Sequence, residues 1–432
     1  MTSSSWEPSV EGLSGSELAA LSFERLKATL RYAYEGSPFY RRRFRDLGGD
    51  ARNLSAPEDL ELIPFTSKED LRNNASSEVF AVPESDLVRV HMSSGTTGAP
   101  IVVGYTQRDI QTWSNLMARS LSAYGMTRND IVQVAYGYGL FTGGLGFHYG
   151  AERVGAMVIP TSTGMTTRQI EIMQRARTTV LCCTPSYALY IGEKITQMGM
   201  DPRRDLSLRF GVFGAEPWSE GTRKRIEEYL GLVAYDHYGL TEMSGPGVAA
   251  ECQERNGLHV WTDHFYPEVV DPKTGESLES GERGELVLTT LSREATPLVR
   301  LRTGDITSLE TGRCECGRSF PRITRIHGRT DDMLKVKGTI VYPRQIEEVI
   351  LDLPDVGNAW EMVVERKVGR MDSLTLRAEA ASANVDIPSL RIELVEKLRQ
   401  KLFLRVKVEI LEVGDLPRFE GKARRVIDLR EL

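Results

Sequence analysis

Between residues 85 and 305 short apolar runs alternate with amphipathic stretches, and few folds accommodate that alternation. IVQVAYGYG (131–139), AMVIPTS (156–162), TVLCCTPS (179–186) and LRFGVFGAEP (208–217) read as buried strands. TTRQIEIMQRAR (166–177) and SEGTRKRIEEYL (219–230) carry apolar residues at helical spacing. Strand and helix in turn predict a doubly wound α/β core. The first ~80 residues read as helical, with Leu21, Leu26, Leu30 and Tyr34 on one face. Gly36, Ser37 and Pro38 end that run. Residues 257–327 turn β-rich and turn-rich.

Near Gly328 the pattern changes again. Pro343 stands at the first turn of an amphipathic helix, YPRQIEEVIL. Strand-like WEMVVER and SLTLRAEA, helical IPSLRIELVEKLRQKL and alternating VKVEILEV follow. The expected organisation is a large α/β N-terminal domain of several subdomains, residues 1–328, and a small mobile α+β domain, 329–432.

The 432 residues are 41% apolar and 26% charged, as in ordinary globular proteins. A formal charge of -6 with interspersed signs argues against nucleic acid as a partner. The N-terminal stretch has neither a basic n-region nor an apolar h-region, and no stretch of about 18 apolar residues follows. A cytoplasmic enzyme with no membrane partner is the expectation. Five cysteines in such a chain do not suggest a disulfide framework.

SSGTTGAP, Ser93 to Pro100, packs hydroxyls and glycines behind an apolar segment. Such a loop can offer N–H groups and hydroxyls to phosphate oxygens, and it can equally be a polar turn. It lacks the Gly-Lys-Ser/Thr ending of a Walker A loop. HYGLTE, ending in Thr241 and Glu242, sets a hydroxyl beside a carboxylate, as phosphate and Mg²⁺ require or as a helix start provides. RTGD carries Asp305, and GRTDDMLKVKG carries Arg329.

In their order these segments resemble the adenylate-forming superfamily of acyl-CoA synthetases, adenylation domains and luciferases. Within it the chain is similar to the phenylacetate–CoA ligase family over nearly its whole length. The supporting stretches include SSGTTGAPIVVGYT, AYGYGLFTGGLGFHYGAERVGA, FGAEPW, YGLTEMSGPGVAAEC, RTGDI, GRTDDMLKVKG and EGKARRV. The resemblance implies ATP-dependent formation of an acyl-adenylate and transfer of the acyl group to coenzyme A.

It also implies roles. Ser93, Ser94, Gly95, Thr96, Thr97 and Gly98 correspond to the phosphate loop. Gly214, Ala215, Glu216 and Pro217 correspond to the adenine-side segment, together with Asp236, His237, Tyr238 and Gly239. Thr241 would touch the α-phosphate and Glu242 would hold Mg²⁺. Asp305 would bind ribose with help from Arg329. Lys422 matches the catalytic lysine of the C-terminal domain, where an ammonium stabilises charge gathering on the α-phosphate in the transition state. A hinge at Asp331 would then let the small domain rotate, withdrawing Lys422 and bringing Gly338 toward the pantetheine tunnel. Asp331→Pro would spare adenylation and impair thioester formation. Ala99 departs from the many relatives that carry Lys there.

AYGYGLFTGGLG combines Tyr136, Tyr138 and Phe141 with glycines, which suits a flat ring as well as it suits a buried strand with a Gly-rich turn. With the resemblance, Tyr136 and Phe141 become the expected ring contacts, with Gly214 and Ala215 as the floor. A small aromatic acid is the expected substrate, because aromatics there would close a fatty-acid tunnel. Cys252, His259, Cys314 and Cys316 make a tetrahedral Zn²⁺ set by residue type, although spacing alone also fits unrelated buried cysteines. Some relatives resemble this chain in that set, so a structural zinc is expected. A homodimer is an expected assembly. A carrier-protein pantetheine is the alternative acceptor, and an inactive acyl-nucleotide sensor is the reading from another class.

Overall fold

The computed structural model describes residues 5–45, 54–93, 99–330, 332, 334–336, 339–366, 372–423 and 425–430. The expected phosphate-loop residues Ser94 to Gly98, the hinge Asp331 and Gly338 lie outside the described residues.

The helix Gly15–Gly36 starts in a capping box between Ser14 and Glu17 and buries Leu18, Leu26, Leu30 and Ala33 along one stripe. A hairpin of β1 (Arg89–Met92) and β2 (Val102–Tyr105) holds the ends of the Ser93–Pro100 segment. The parallel core consists of β3 (Ile131–Val134), β4 (Met157–Ile159), β5 (Val180–Cys183), β6 (Phe210–Gly214) and β7 (Val233–Leu240). Antiparallel strands continue it: β8 (Gly245–Ala250), β9 (Leu258–Val260), β10 (Phe265–Val270), β11 (Arg283–Thr290), β12 (Leu301–Glu310) and β13 (Arg322–Ile323). β14 (Gly328–Arg329) pairs with β12. The order is β10-β11-β12-β13-β9-β8-β7-β6-β5-β3-β4.

Because β3 lies between β4 and β5, the winding direction reverses at β3. Open α/β sheets bind ligands beyond the carboxyl ends of the strands at such a point. The strands are shorter than the apolar runs suggest. β3, β4 and β5 are four residues long or shorter, and Pro185 already opens the helix Pro185–Gln197.

AYGYGLFTGGLG, which also fitted a buried strand with a Gly-rich turn, runs at Gly143 into the helix Gly143–Val154. Its glycines serve close packing. A Cβ on Gly146 would lie 2.5 Å from Pro246 Cγ and 2.8 Å from Trp113 Cζ2, and one on Gly150 would lie 2.5 Å from Met117 Cβ. Tertiary contact there overrides the low helix propensity of glycine.

The C-terminal portion has its own core. β15 (Leu334–Val336) and β16 (Thr339–Val341) form a hairpin. β17 (Val356–Glu365), β18 (Ser373–Ala380), β19 (Lys407–Leu411) and β20 (Val426–Asp428) form a sheet in the order β19-β18-β17-β20. The helix Ile387–Leu402 buries Leu390, Leu394, Leu398 and Leu402 against it, a strict four-residue spacing. Among the described residues no helix is long and apolar enough to cross a membrane.

Candidate active site

The carboxyl ends of β6 and β7 carry most of the expected site. Gly214 closes β6 beside His237 of β7, and a Cβ on Gly214 would meet the His237 carbonyl oxygen at 2.3 Å. Gly239 is equally confined, 2.1 Å from the Gly245 carbonyl oxygen. Both glycines are therefore required by strand packing. Ala215 follows with φ +71, a left-handed turn that lifts the next residues off the sheet.

Tyr238, Asp305 and Arg329 meet as expected. The Tyr238 hydroxyl donates to Asp305 Oδ2 at 2.6 Å, and Arg329 Nη1 donates to Asp305 Oδ1 at 2.6 Å. Burial, then the neighbouring Asp305 carboxylate, pushes the Tyr238 phenol well above its ordinary range, so it stays a donor. Each carboxylate oxygen of Asp305 keeps a lone pair for a ligand hydroxyl. Gly304, at φ +81, admits the guanidinium: a Cβ there would stand 3.3 Å from Arg329 Nη2. Thr241 and Glu242 open a 3₁₀ turn after β7. Glu242 is buried, with Lys68 Nζ 3.9 Å from its carboxylate. A buried carboxylate with one long ion pair suits a hard divalent cation. Ser93 pins the near end of the phosphate segment: its N–H donates to the Ile101 carbonyl, and its hydroxyl accepts from the Ile101 N–H, both at 3.0 Å.

Two expected residues face elsewhere. Asp236 Oδ1 accepts from Trp218 Nε1 at 2.8 Å, and the Asp236 N–H donates to Glu251. His237 points to the opposite face of β7 from Tyr238, as strand alternation requires, and packs against Phe147. Neither joins the Tyr238–Asp305–Arg329 set.

Glu216, expected on the adenine side, has its carboxylate engaged by two backbone N–H groups. Its carboxylate accepts from the Ser186 N–H at 2.6 Å and from the Ala423 N–H at 3.0 Å. The Gly421 carbonyl accepts from Thr184 Oγ1 at 3.0 Å and Ser186 Oγ at 3.1 Å, and Thr166 Oγ1 donates to Glu420 at 2.9 Å. The backbone on both sides of Lys422 is thus fastened to the ends of β5 and β6, while the Lys422 side chain is exposed. Thr222 Oγ1 to Glu347 at 2.6 Å and Asn358 Nδ2 to Glu193 at 2.7 Å fasten the same two portions further out. Glu420 stands in the EGKARRV stretch, whereas Thr166, Thr184 and Ser186 had no motif to mark them. The only signal for Thr184 and Ser186 was the polar TPS cap after an apolar run.

The expected ring pocket is half as predicted. Tyr136 is buried beyond β3 and its hydroxyl donates to the Gly214 carbonyl at 3.4 Å. It stacks on Phe147, centroids 5.0 Å apart and planes within 4°. Phe141, by contrast, is 52% exposed on the rim. Phe147 was missed because the glycines around it hid its helix.

Cys252, His259, Cys314 and Cys316 converge, with all ligand atoms within 4.8 Å of one another. Cys252 and Cys314 sulfurs stand 3.8 Å apart, and Cys316 Sγ stands 3.4 Å from His259 Nε2. A tetrahedron with zinc–sulfur bonds of about 2.3 Å has sulfur–sulfur edges of about 3.8 Å. His259 Nδ1 faces the Phe320 carbonyl at 3.4 Å, the kind of outer contact that orients a metal-binding imidazole. Cys182 and Cys183 are buried in β5, and burial pushes both thiols up, as for core residues.

The AMP-binding enzyme model matches residues 47–292, and the AMP-binding enzyme C-terminal domain model matches 338–430. A phenylacetate-coenzyme A ligase of Thermus thermophilus is 46% identical over 99% of this chain and 100% of its own. One of Pseudomonas putida is 48% identical over 94% of this chain and 93% of its own. Among solved structures, 2-hydroxyisobutyryl-CoA ligase in its postadenylation state with 2-HIB-AMP superposes at TM-score 0.91, with 32% identity over 98% of this chain and 91% of that one. The same ligase with 2-HIB-AMP and CoA in its thioesterification state gives 0.73, with 33% identity over 98% and 92%. The domain arrangement here, with the Lys422 segment docked on Glu216, is therefore like that of the postadenylation state. The chain belongs to the phenylacetate–CoA ligase family of AMP-binding, adenylate-forming enzymes.

Proposed function

We propose that this enzyme activates a small aromatic carboxylic acid of the phenylacetate class with ATP, then transfers the acyl group to coenzyme A, releasing AMP and pyrophosphate. The observation that carries this reading is the docking of the Lys422 segment on the same strand ends that present Tyr238, Asp305 and Arg329. The acid's carboxylate attacks the α-phosphorus, and pyrophosphate leaves. Asp305 and Arg329 hold the ribose, Tyr238 lies along the adenine, and Thr241 and the Ser93–Gly98 loop hold phosphate oxygens. Lys422 stabilises the charge gathering on the α-phosphate. Magnesium held by Glu242 would offset pyrophosphate charge as a Lewis acid. The thiol of coenzyme A then attacks the acyl carbon, and AMP leaves.

Lys422 serves the first step only. The small domain, residues 329–432, swings about Asp331 between steps, which brings Gly338 toward the thiol's approach. The two TM-scores obtained against one relative in two states support such a swing. Zinc at Cys252, His259, Cys314 and Cys316 is structural, since four protein ligands leave no open position.

The test is ATP–pyrophosphate exchange across aromatic, aliphatic and amino acids, followed by thioester formation with coenzyme A or a carrier-protein pantetheine. Exchange with phenylacetate-like acids and thioester with free coenzyme A are expected. Exchange only with aliphatic or amino acids, or none at all, refutes the aromatic reading. Thioester only on the carrier refutes the acceptor.

A further inference from the structure

Tyr136, Phe147 and His237 form one aromatic cluster, with Tyr136 stacked on Phe147 and His237 tilted against it. Phe147 lies between the other two, with its centroid 5.0 Å from Tyr136 and 5.1 Å from His237. His237 is 5% exposed, and its Nε2 is buried with no hydrogen-bond partner. Buried polar atoms without partners are uncommon and each calls for an explanation.

The other ring nitrogen is committed. Tyr124 Oη lies 3.0 Å from the Asp236 carbonyl and 2.8 Å from His237 Nδ1. The phenol has one proton to give and the carbonyl can only accept; with that proton on the carbonyl, the Tyr124 oxygen is left to accept from His237. The close contact with His237 then takes its proton from Nδ1. That leaves Nε2 as a bare lone pair. Burial also pushes the imidazole down to about 3, so it is neutral at working pH. Strand alternation sends Tyr238 to the Asp305 side and His237 to the opposite face, where Tyr136 and the Gly214 carbonyl lie.

We infer that His237 Nε2 is a specificity-determining acceptor in the acid pocket, and that the substrate is an aromatic acid bearing a hydrogen-bond donor on its ring, a phenolic hydroxyl. This rests on the aromatic-acid reading above and narrows it. A pocket built to receive a hydroxyl discriminates strongly against the analogue that lacks one, because its own polar atom is then left unpaired.

The experiment measures kcat/KM for pyrophosphate exchange with phenylacetate, its 2-, 3- and 4-hydroxy derivatives and their methyl ethers. One hydroxy isomer is expected to exceed phenylacetate by about tenfold or more, and its methyl ether, which cannot donate, to lose that advantage. His237→Leu is expected to cut the hydroxyl-to-unsubstituted ratio of kcat/KM about tenfold. A ratio unchanged within about twofold, or a wild type that prefers phenylacetate, overturns the inference while leaving aromatic-acid activation standing. No exchange with any aromatic acid overturns both. Should the Leu variant not fold, the wild-type complex with the preferred acid decides. A phenolic oxygen within hydrogen-bonding distance of Nε2 supports the assignment, and a water or ring carbon in that place overturns it.

Discussion

Glu216→Gln isolates the latch that holds the Lys422 segment. The carboxylate accepts from Ser186 on the large domain and from Ala423 beside Lys422. Glutamine keeps the shape and one acceptor oxygen. It loses the charge and turns an NH₂ toward one of the two N–H donors. A hydrogen bond to a charged group contributes about 1.5–3 kcal/mol, and the half-buried setting of Glu216 puts the loss near the low end. About 1.5 kcal/mol lowers the ratio of docked to undocked small domain about tenfold. The remaining ties, Thr166–Glu420, Thr184 and Ser186 to Gly421, and Thr222–Glu347, keep the loss from being total. The assay compares pyrophosphate exchange with thioester formation from preformed acyl-adenylate. Exchange should fall, by at most about tenfold, while the second step is unchanged or faster, because the docked state competes with it. An equal fall in both steps would mean that Glu216 acts on the bound nucleotide, and the latch would be refuted.

Tyr238→Phe removes a donor from Asp305 while leaving Arg329 in place, so the KM for ATP should rise about fivefold to tenfold with little change in kcat. A change confined to kcat would contradict the ribose-side assignment. The purified protein should carry about one zinc per chain by metal analysis, and less than about 0.2 sinks the zinc site. Cys314→Ser should lose that metal and lower Tm by several degrees, with kcat at low temperature little altered. Burial holds His264 down to about 4, and His237 lower still. Unfolded, both titrate near about 6.5. As pH falls below 6.5 the unfolded chain takes up protons that the folded chain refuses, so stability present at neutral pH is lost toward pH 4. The slope is up to about 1.4 kcal/mol per pH unit for each imidazole. His264→Asn should flatten the dependence of Tm on pH in that window, and an unchanged slope would argue against it.

The sequence by itself determined the succession of strands and helices, because hydrophobic period is a local property. The run 166–177 is helical and 180–183 is a strand, as their spacing requires. It also determined the chemical vocabulary: Asp305, Arg329 and Tyr238 stand in motifs, and the fold gathers them. The Cys and His types of the metal set were legible, whereas their meeting was not, since β9 and the Cys314–Cys316 turn are far apart in the chain. Only the tertiary structure decided which way side chains point. The glycines of 135–146 fitted a turn as well as a pocket until Trp113 and Pro246 were seen pressed against Gly146. Glu216 belonged to an adenine-side motif until the Ala423 N–H was found on its carboxylate. His237 stood in the nucleotide segment until the pleat of β7 turned it toward Phe147 and left Nε2 without a partner. The physical reason is the same in each case. Local pattern sets backbone conformation, but a side chain's partner comes from elements brought together by burial of the core, and no window of sequence contains both.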